Sequence, residues 1–178
     1  MLTLANRLTI LRILMTPVIT VLLLYGQIGA ALALFLLAGI TDGLDGFVAR
    51  VWKQKTTLGM VLDPMADKLL LSSTVVTLTI LKELPRWFTI IVVSRDVLLI
   101  GGNVILYMFL GKIGMAPSWL GKSTTGFQLM TVLCTMLDNF YPSLRVAILP
   151  LVVVTLALTI ASGLDYIYKG LRLLNDQA

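Results

Sequence analysis

Six long apolar segments, separated by short polar loops, occupy almost the whole chain. About 20 apolar residues are enough to cross the hydrocarbon core of a bilayer as an α-helix. We therefore predict an all-α, polytopic integral membrane protein with six transmembrane helices, and expect residues 1–178 to form a single membrane domain. The predicted spans run approximately over Leu8–Tyr25, Ile28–Ile40, Leu62–Leu81, Trp87–Leu110, Leu120–Leu137 and Leu144–Tyr166.

The composition narrows the possible chemistry. Charged residues make up 13% of the chain, against about 25% in average soluble domains. There is no histidine and a single cysteine, Cys134. Ser-His-Asp and Cys-His catalysis, imidazole metal ligation and an intrachain disulfide are therefore excluded. Any reaction must use carboxylates, Lys, Arg, hydroxyl groups and backbone.

The basic residues predict the orientation in the membrane, because Lys and Arg accumulate in cytoplasmic loops. Nine lie on one side of the predicted spans and three (Lys82, Arg86 and Arg145) on the other. We expect a protein of the cytoplasmic (inner) membrane, with both termini and the 50–57 loop in the cytoplasm. The net charge of +5 indicates interaction with a membrane surface and no nucleic-acid partner, since the basic residues lie in short loops between apolar segments. The nine are Arg7, Arg12, Arg50, Lys53, Lys55, Lys112, Lys122, Lys169 and Arg172.

Two pairs of aspartates lie where the second span ends and the third begins. Asp42 and Asp45 are three residues apart, and Asp63 and Asp67 are four apart, so each pair shares one helical face. The loop between them is short, which predicts that the two helices are antiparallel partners and that the four carboxylates converge. Their repulsion costs several kcal/mol unless it is neutralised. Hard oxygen ligands indicate two Mg²⁺ or Mn²⁺ ions, with Ca²⁺ as the other candidate, able to hold a phosphate or diphosphate.

Other interpretations of the four aspartates remain. They are compatible with simple capping of helix ends at the interface. Intramembrane acids also suggest a divalent-cation carrier or channel, although transport sites lie near the bilayer midplane and these residues cluster at one face. A non-catalytic lipid-binding or assembly protein is a third possibility.

The same segment carries a sequence motif. Gly46, Ala49, Arg50 and Gly59 are interspersed among the aspartates in the pattern D-x2-D-G-x2-A-R-x8-G-x3-D-x3-D, which matches at eight fixed positions. This pattern resembles the signature of the CDP-alcohol phosphatidyltransferases. The six-span layout and the Asn6-x-Leu8-Thr9-x-x-Arg12 opening are similar to this family as well, so the resemblance covers most of the chain.

The resemblance implies an integral membrane enzyme that transfers the phosphatidyl group of CDP-diacylglycerol to an alcohol and releases CMP. By analogy, Asp42, Asp45 and Asp63 hold two divalent ions. Asp67 completes the shell of the second ion and acts as general base on the acceptor hydroxyl. Members of this family are commonly homodimers.

The resemblance also assigns the donor-nucleotide site. Gly46 and Gly59 make room for the cytidine, with Ala49 beside them in the motif, and Arg50 contacts the phosphates of the donor. The lipid tails of the donor remain in the leaflet.

Three basic residues are candidates for binding the acceptor. Arg95 lies inside the fourth span and needs a partner. Residues i and i+1 of a helix do not face each other, so we expect its partner to be a phosphate of an acidic acceptor or a distant aspartate rather than Asp96. Lys122 and Arg12 are further candidates, with lipid-facing or structural roles as the alternatives.

The acceptor itself is predicted from the fourth span. Length and layout resemble the members of the family that use glycerol 3-phosphate, and we favour that acceptor. Those members usually have Arg-Glu and a second Arg eight residues after the first, whereas this chain has Arg95-Asp96 and Asn103. Arg-Asp followed by Val and Leu is closer to the members that form cardiolipin from phosphatidylglycerol.

Overall fold

A computed structural model describes residues 4–51, 57–110 and 118–175. Within these ranges it describes the side chains at all positions other than 4–7, 42–51, 57–64, 105–107, 109–110, 171 and 173–175. The described ranges contain α-helices, one short 3₁₀ turn and no strand, which confirms the all-α prediction. The elements are α1 (Leu4–Leu24), α2 (Ile28–Val51), α3 (Thr57–Ile80), α4 (Arg86–Leu110), α5 (Trp119–Asp138), the turn Pro142–Leu144 and α6 (Arg145–Asn175).

Two of the helices are longer than the apolar segments that predicted them. α2 continues past Ile40 to Val51, and α3 begins at Thr57 instead of Leu62. Hydropathy marks where a helix can enter hydrocarbon, whereas backbone hydrogen bonding continues through polar residues beyond that point. As a result, both aspartate pairs lie within helices.

Membrane-spanning character is clearest in α4 and α6. Among the described residues, Arg86–Val104 and Pro142–Gly170 are helical, long and apolar enough to cross a membrane, while Leu8–Leu24 and Ile28–Thr41 are shorter apolar helices. Only 17% of the apolar window in α6 is buried within the protein, so most of this helix presents apolar side chains outward. The full set of six spans stays a prediction.

The chain divides after Leu84 into two compact units, and the first contains α1, α2 and α3. α1 packs against both α2 and α3. On α2 the buried residues Ala31, Phe35 and Ala38 are four and three positions apart, so they form one face of the helix. Small residues such as alanine allow helices to approach closely in a membrane.

The turns at the ends of α1 and α3 have the same hydrogen-bonding pattern. After α1, the amide of Gln27 donates to Leu22 O at 2.8 Å and that of Gly26 to Leu23 O at 3.0 Å. This is a Schellman ending, in which the residue after the helix adopts a left-handed conformation. Gly26 has φ of 74°, which costs glycine little because it lacks a Cβ.

After α3, Lys82 occupies the left-handed position. Its φ is 65°, and the amide of Glu83 donates to Leu78 O at 2.9 Å. A lysine pays a steric cost in this conformation that a glycine avoids. The hydrogen bonds of the helix ending therefore hold Lys82 in a strained backbone geometry.

The second unit contains α4, α5 and α6, and α6 packs against both of the others. Between α5 and α6 lies a threonine interface, which we define as Thr124 and Thr131 of α5 with Thr155 and the Leu158 carbonyl of α6. The hydroxyls of Thr131 and Thr155 are 2.9 Å apart. The Thr124 hydroxyl, which donates to Leu120 O at 2.7 Å within α5, also lies 3.1 Å from Leu158 O. Hydrogen bonds of this kind join helices where apolar burial supplies no net driving force.

Close approach of α4 and α6 depends on a glycine. Gly102 lies against the ring of Tyr166. The Tyr166 hydroxyl donates to Leu99 O at 3.2 Å, and Asn103 Nδ2 donates to the same carbonyl at 2.9 Å. Two side chains on different helices thus satisfy one backbone carbonyl.

Candidate functional site

The acidic motif lies on two consecutive helices of the first unit, near the end of α2 and the beginning of α3. Asp42 and Asp45 belong to α2, close to its end at Val51, and Asp63 and Asp67 belong to α3. The helical backbone confirms that the two positions of each pair are one turn apart. The side chains of Asp42, Asp45 and Asp63 lie outside the described residues, as do those of Gly46, Ala49, Arg50 and Gly59. Convergence of the four carboxylates therefore stays a prediction.

Asp67 is the member of the motif whose side chain is described, and it pairs with Arg12 of α1. Arg12 Nη1 donates to Asp67 Oδ1 at 2.5 Å. The arginine side chain is fully buried, whereas that of Asp67 is 44% exposed. Because both groups are charged, this hydrogen bond is stronger than a neutral one. The pair therefore joins α1 to α3 at the motif and leaves Asp67 partly accessible.

Among the described residues, the packing of the first unit is centred on α1. α2 and α3 were expected to be direct partners, but their described parts make no packing contact with one another, and each packs against α1. A short loop constrains only the ends that it joins. α1 packs against both helices and so joins them.

The chemistry of Asp67 fits a ligand for a hard divalent cation. Its carboxylate is an anionic oxygen donor, and its partial exposure leaves it accessible. Mg²⁺ and Mn²⁺ prefer such oxygen donors. Among the side chains that the structure describes, no group of three or more acidic, cysteine or histidine residues lies together, and three of the four predicted ligands are outside that set.

Arg95 in the second unit has a partner that the sequence argument had set aside. Its Nη1 donates to Asp96 Oδ1 at 2.9 Å, although we expected adjacent residues of a helix not to face each other. That expectation was wrong, because the arginine side chain is long enough to fold back beside its own helix. Both side chains are buried, so each charge is compensated where it lies.

The rest of the Arg95 guanidinium is held by α6. Nε and Nη2 donate to Ser162 Oγ at 3.0 and 2.8 Å. A Cβ placed on Gly121 of α5 would lie 3.4 Å from Nη2, so the α5 backbone also borders this group. All three nitrogens of the guanidinium have protein partners. An acceptor phosphate at Arg95 would thus share or replace these contacts, and the predicted acceptor role is untested.

Lys122 lies one residue beyond Gly121 and is exposed. Its ammonium group is 5.8 Å from the centroid of the Trp119 ring. A cation over an exposed aromatic face contributes roughly 0.5–1 kcal/mol. This contact accounts for the present position of Lys122 without a ligand, and its role in acceptor binding stays a prediction.

A groove of about 270 Å³ borders Arg95 between α4 and α6. Its walls are almost entirely apolar, because the Arg95 guanidinium is turned toward Asp96 and Ser162. The lining includes Ile90, Ser94, Leu98, Thr159, Gly163 and Ile167.

The buried polar residues of α6 were not predicted from the sequence. Thr155, Thr159 and Ser162 are buried and follow one another at helical spacing on an otherwise apolar helix. That spacing is the signal that could have revealed them, since small polar residues on one face of an apolar helix indicate a helix–helix contact. Ser162 is the member that reaches Arg95.

Comparison with known proteins supports the resemblance seen in the motif. A sequence model of the family described as CDP-alcohol phosphatidyltransferase matches residues 2–161. The matched range includes all four aspartates as well as Arg12, Arg95 and Lys122. Enzymes of this family generally depend on a divalent metal ion.

Individual relatives align over long stretches. The probable phosphatidylglycerophosphate synthase of Mycobacterium tuberculosis is 35% identical over 176 residues, which cover 95% of this chain and 82% of that protein. The CDP-diacylglycerol–glycerol-3-phosphate 3-phosphatidyltransferase of Aquifex aeolicus is 32% identical, with 95% and 96% covered. A probable cardiolipin synthase (CMP-forming) of Drosophila melanogaster is 40% identical over 146 residues, which cover 73% of this chain and 45% of that protein. With a motif that matches at every fixed position and relatives aligned over nearly its full length, this chain belongs to the CDP-alcohol phosphatidyltransferase family.

Proposed function

We propose that this protein transfers the phosphatidyl group of CDP-diacylglycerol to glycerol 3-phosphate and releases CMP. The observation that carries the proposal is the alignment with the Aquifex aeolicus enzyme, whose name states this reaction and which is covered over 96% of its length. The relative from Mycobacterium tuberculosis, also covered over most of its length, is named for the product of the same reaction. The reaction belongs to glycerophospholipid biosynthesis.

The transfer exchanges one phosphorus–oxygen bond for another. The acceptor hydroxyl oxygen attacks the phosphorus that carries the diacylglycerol, the anhydride bond breaks, and CMP leaves with the bonding electron pair. Asp67 accepts the proton of the hydroxyl as general base. Its partial exposure supports this role, because a base must be accessible to the acceptor.

Asp42, Asp45, Asp63 and Asp67 are the residues that we propose hold two divalent ions, Mg²⁺ or Mn²⁺. Such ions supply charge stabilisation for the attacked phosphate and for CMP as it leaves. Gly46, Ala49, Arg50 and Gly59 form the donor-nucleotide site in this proposal. The match of the motif at each of these positions supports both assignments.

Arg95 and Lys122 are proposed to bind the phosphate of the acceptor. Both lie in the second unit, and the Gly121 backbone next to Lys122 borders the Arg95 guanidinium. Arginine and lysine are the usual ligands of phosphate groups. An acceptor phosphate would share the Arg95 guanidinium with Ser162, which keeps the guanidinium oriented.

The proposed setting is the cytoplasmic (inner) membrane. All six helices span the bilayer as one domain, with both termini and the active site facing the cytoplasm, and two copies form a homodimer. The outward apolar surface of α6 and the excess of basic residues in one set of loops support this arrangement.

Cardiolipin synthesis from phosphatidylglycerol is the second candidate. Its specific support is the 40% identity with the Drosophila melanogaster protein, together with Arg95-Asp96 and Asn103 in α4. The matched region covers 45% of that relative, so more than half of its chain has no counterpart in the alignment.

The deciding experiment offers purified protein CDP-diacylglycerol with either glycerol 3-phosphate or phosphatidylglycerol and identifies the lipid product by mass. We expect phosphatidylglycerophosphate, formed only with Mg²⁺ or Mn²⁺ present. D63N and D67N should abolish CMP release, whereas D165N should retain it because Asp165 pairs with Lys169 on the surface of α6. Cardiolipin as the product would favour the second candidate, and full activity of D63N and D67N would refute the proposed metal site. Divalent-ion flux into sealed vesicles without CMP would instead indicate a carrier.

A further inference from the structure

A buried arginine lies against the proposed catalytic carboxylate, and it comes from a helix outside the acidic motif. Arg12 is 1% exposed, and its Nη1 is 2.5 Å from Asp67 Oδ1. α1, which carries it, packs against both α2 and α3. The contact therefore depends on the core packing of the first unit, unlike a surface ion pair that forms and breaks freely.

The guanidinium constrains how Asp67 can be used. A carboxylate whose Oδ1 accepts a charge-assisted hydrogen bond has a defined orientation. It also cannot offer both oxygens to a metal ion without a competing cation at one of them. Because Arg12 is buried in packed helices, it cannot withdraw into solvent to allow such a change.

We propose that Arg12 is a positioning residue of the phosphatidyl transfer, which fixes Asp67 in a one-oxygen geometry toward the reacting groups and prevents it from chelating a metal ion through both oxygens. This inference rests on the proposed function and goes beyond it, since it gives Arg12 a role toward Asp67 instead of the acceptor. The same contact limits the positive charge that the site can bind, because Arg12 contributes a fixed cation.

The proposal predicts opposite changes in metal binding and turnover. Without the cation, Mn²⁺ should bind more tightly, because repulsion is removed and Asp67 can bind through both oxygens. Turnover should fall, because the carboxylate is no longer held in its working orientation. A role of Arg12 in folding alone would weaken both properties together.

The test uses the full-length protein in detergent and measures Mn²⁺ binding by electron paramagnetic resonance beside CMP release. R12Q should bind Mn²⁺ about fivefold more tightly or better, with kcat reduced about tenfold or more. R12K keeps the charge but loses the planar fork, so its Mn²⁺ affinity should stay near wild type while kcat is still reduced. T16V is the matched control, since the Thr16 hydroxyl bonds to the Arg12 carbonyl at 3.0 Å within α1, and it should alter neither property.

The D67N background provides the decisive comparison. If Arg12 acts through Asp67, R12Q should no longer tighten Mn²⁺ binding by the same factor when Asp67 is asparagine. Weaker Mn²⁺ binding in R12Q, unchanged kcat in R12K, or an identical effect of R12Q in both backgrounds would each overturn the proposal. Failure of the wild-type protein to release CMP would instead reject the proposed function, so the two failures are distinguishable.

Discussion

Gly102 of α4 lies under the ring of Tyr166 of α6 so closely that a Cβ on Gly102 would be 2.7 Å from Tyr166 Cε1. The ring is held there, because the Tyr166 hydroxyl donates to Leu99 O. Glycine at this position therefore sets the distance between the two helices with the clearest membrane-spanning character.

Replacing Gly102 with alanine should destabilise the protein by about 1–3 kcal/mol, as overpacking of a tight contact does. Thermal unfolding in detergent measures the change. Gly101 is the matched control, since a Cβ there meets nothing within 4 Å and alanine has the higher helix propensity. G101A should be neutral or stabilising, and an equal loss in both variants would show that packing against Tyr166 is not the cause.

The threonine interface should show energetic coupling across the two helices. T131V and T155V are each expected to cost about 0.5–1 kcal/mol, and the double variant less than their sum, because they remove the same hydrogen bond. T135V is the control, since the Thr135 hydroxyl bonds within α5 to Thr131 O. Unfolding free energies that add for T131V and T155V would argue against a shared bond.

Removal of the Ser162 hydroxyl should affect acceptor binding through Arg95. S162A leaves Nε and Nη2 of Arg95 without their partner, so the guanidinium loses its orientation. We expect the KM for glycerol 3-phosphate to rise about tenfold, the equivalent of one charged hydrogen bond, with the KM for CDP-diacylglycerol unchanged. S94A changes a neighbouring serine of the groove and should leave both constants as they are. Equal shifts in both constants for S162A would indicate a general packing defect.

The strained turn after α3 offers a stabilising substitution. K82G relieves the steric cost of a left-handed lysine, about 1–2 kcal/mol. Part of this gain is offset, because glycine increases the conformational entropy of the unfolded chain. A net gain of about 0.5–1 kcal/mol in the free energy of unfolding is expected. The same substitution at Lys169, inside α6, should lower stability, because glycine there weakens a helix and removes the bond to Asp165. A destabilised K82G would mean that the lysine side chain, rather than the backbone, governs this turn.

Much of the helical layout follows from hydropathy, because an apolar segment must satisfy its backbone within itself in a membrane. The acidic motif also fell on helices as its spacing predicted. The ends of α2 and α3 could not be predicted from hydropathy, because polar residues extend both helices beyond their apolar segments.

The side-chain partnerships were the least predictable feature. Sequence spacing within a helix could not pair Arg12 with Asp67, since the two lie 55 residues apart and meet only because α1 packs on α3. Arg95 and Asp96 are adjacent in sequence, and the expectation that they would not pair was wrong. The rule about helical faces describes Cβ positions, and a long side chain can reach around the helix from its Cβ. Ser162 belongs to no motif that marks it as the hydrogen-bond partner of Arg95.

The order of α1 and α3 along the chain gives the Arg12–Asp67 contact a bearing on biogenesis. Synthesis proceeds from the N-terminus, so α1 emerges from the ribosome before α3 does. The Arg12–Asp67 contact therefore cannot form until the 55 residues that separate the two side chains have been synthesised.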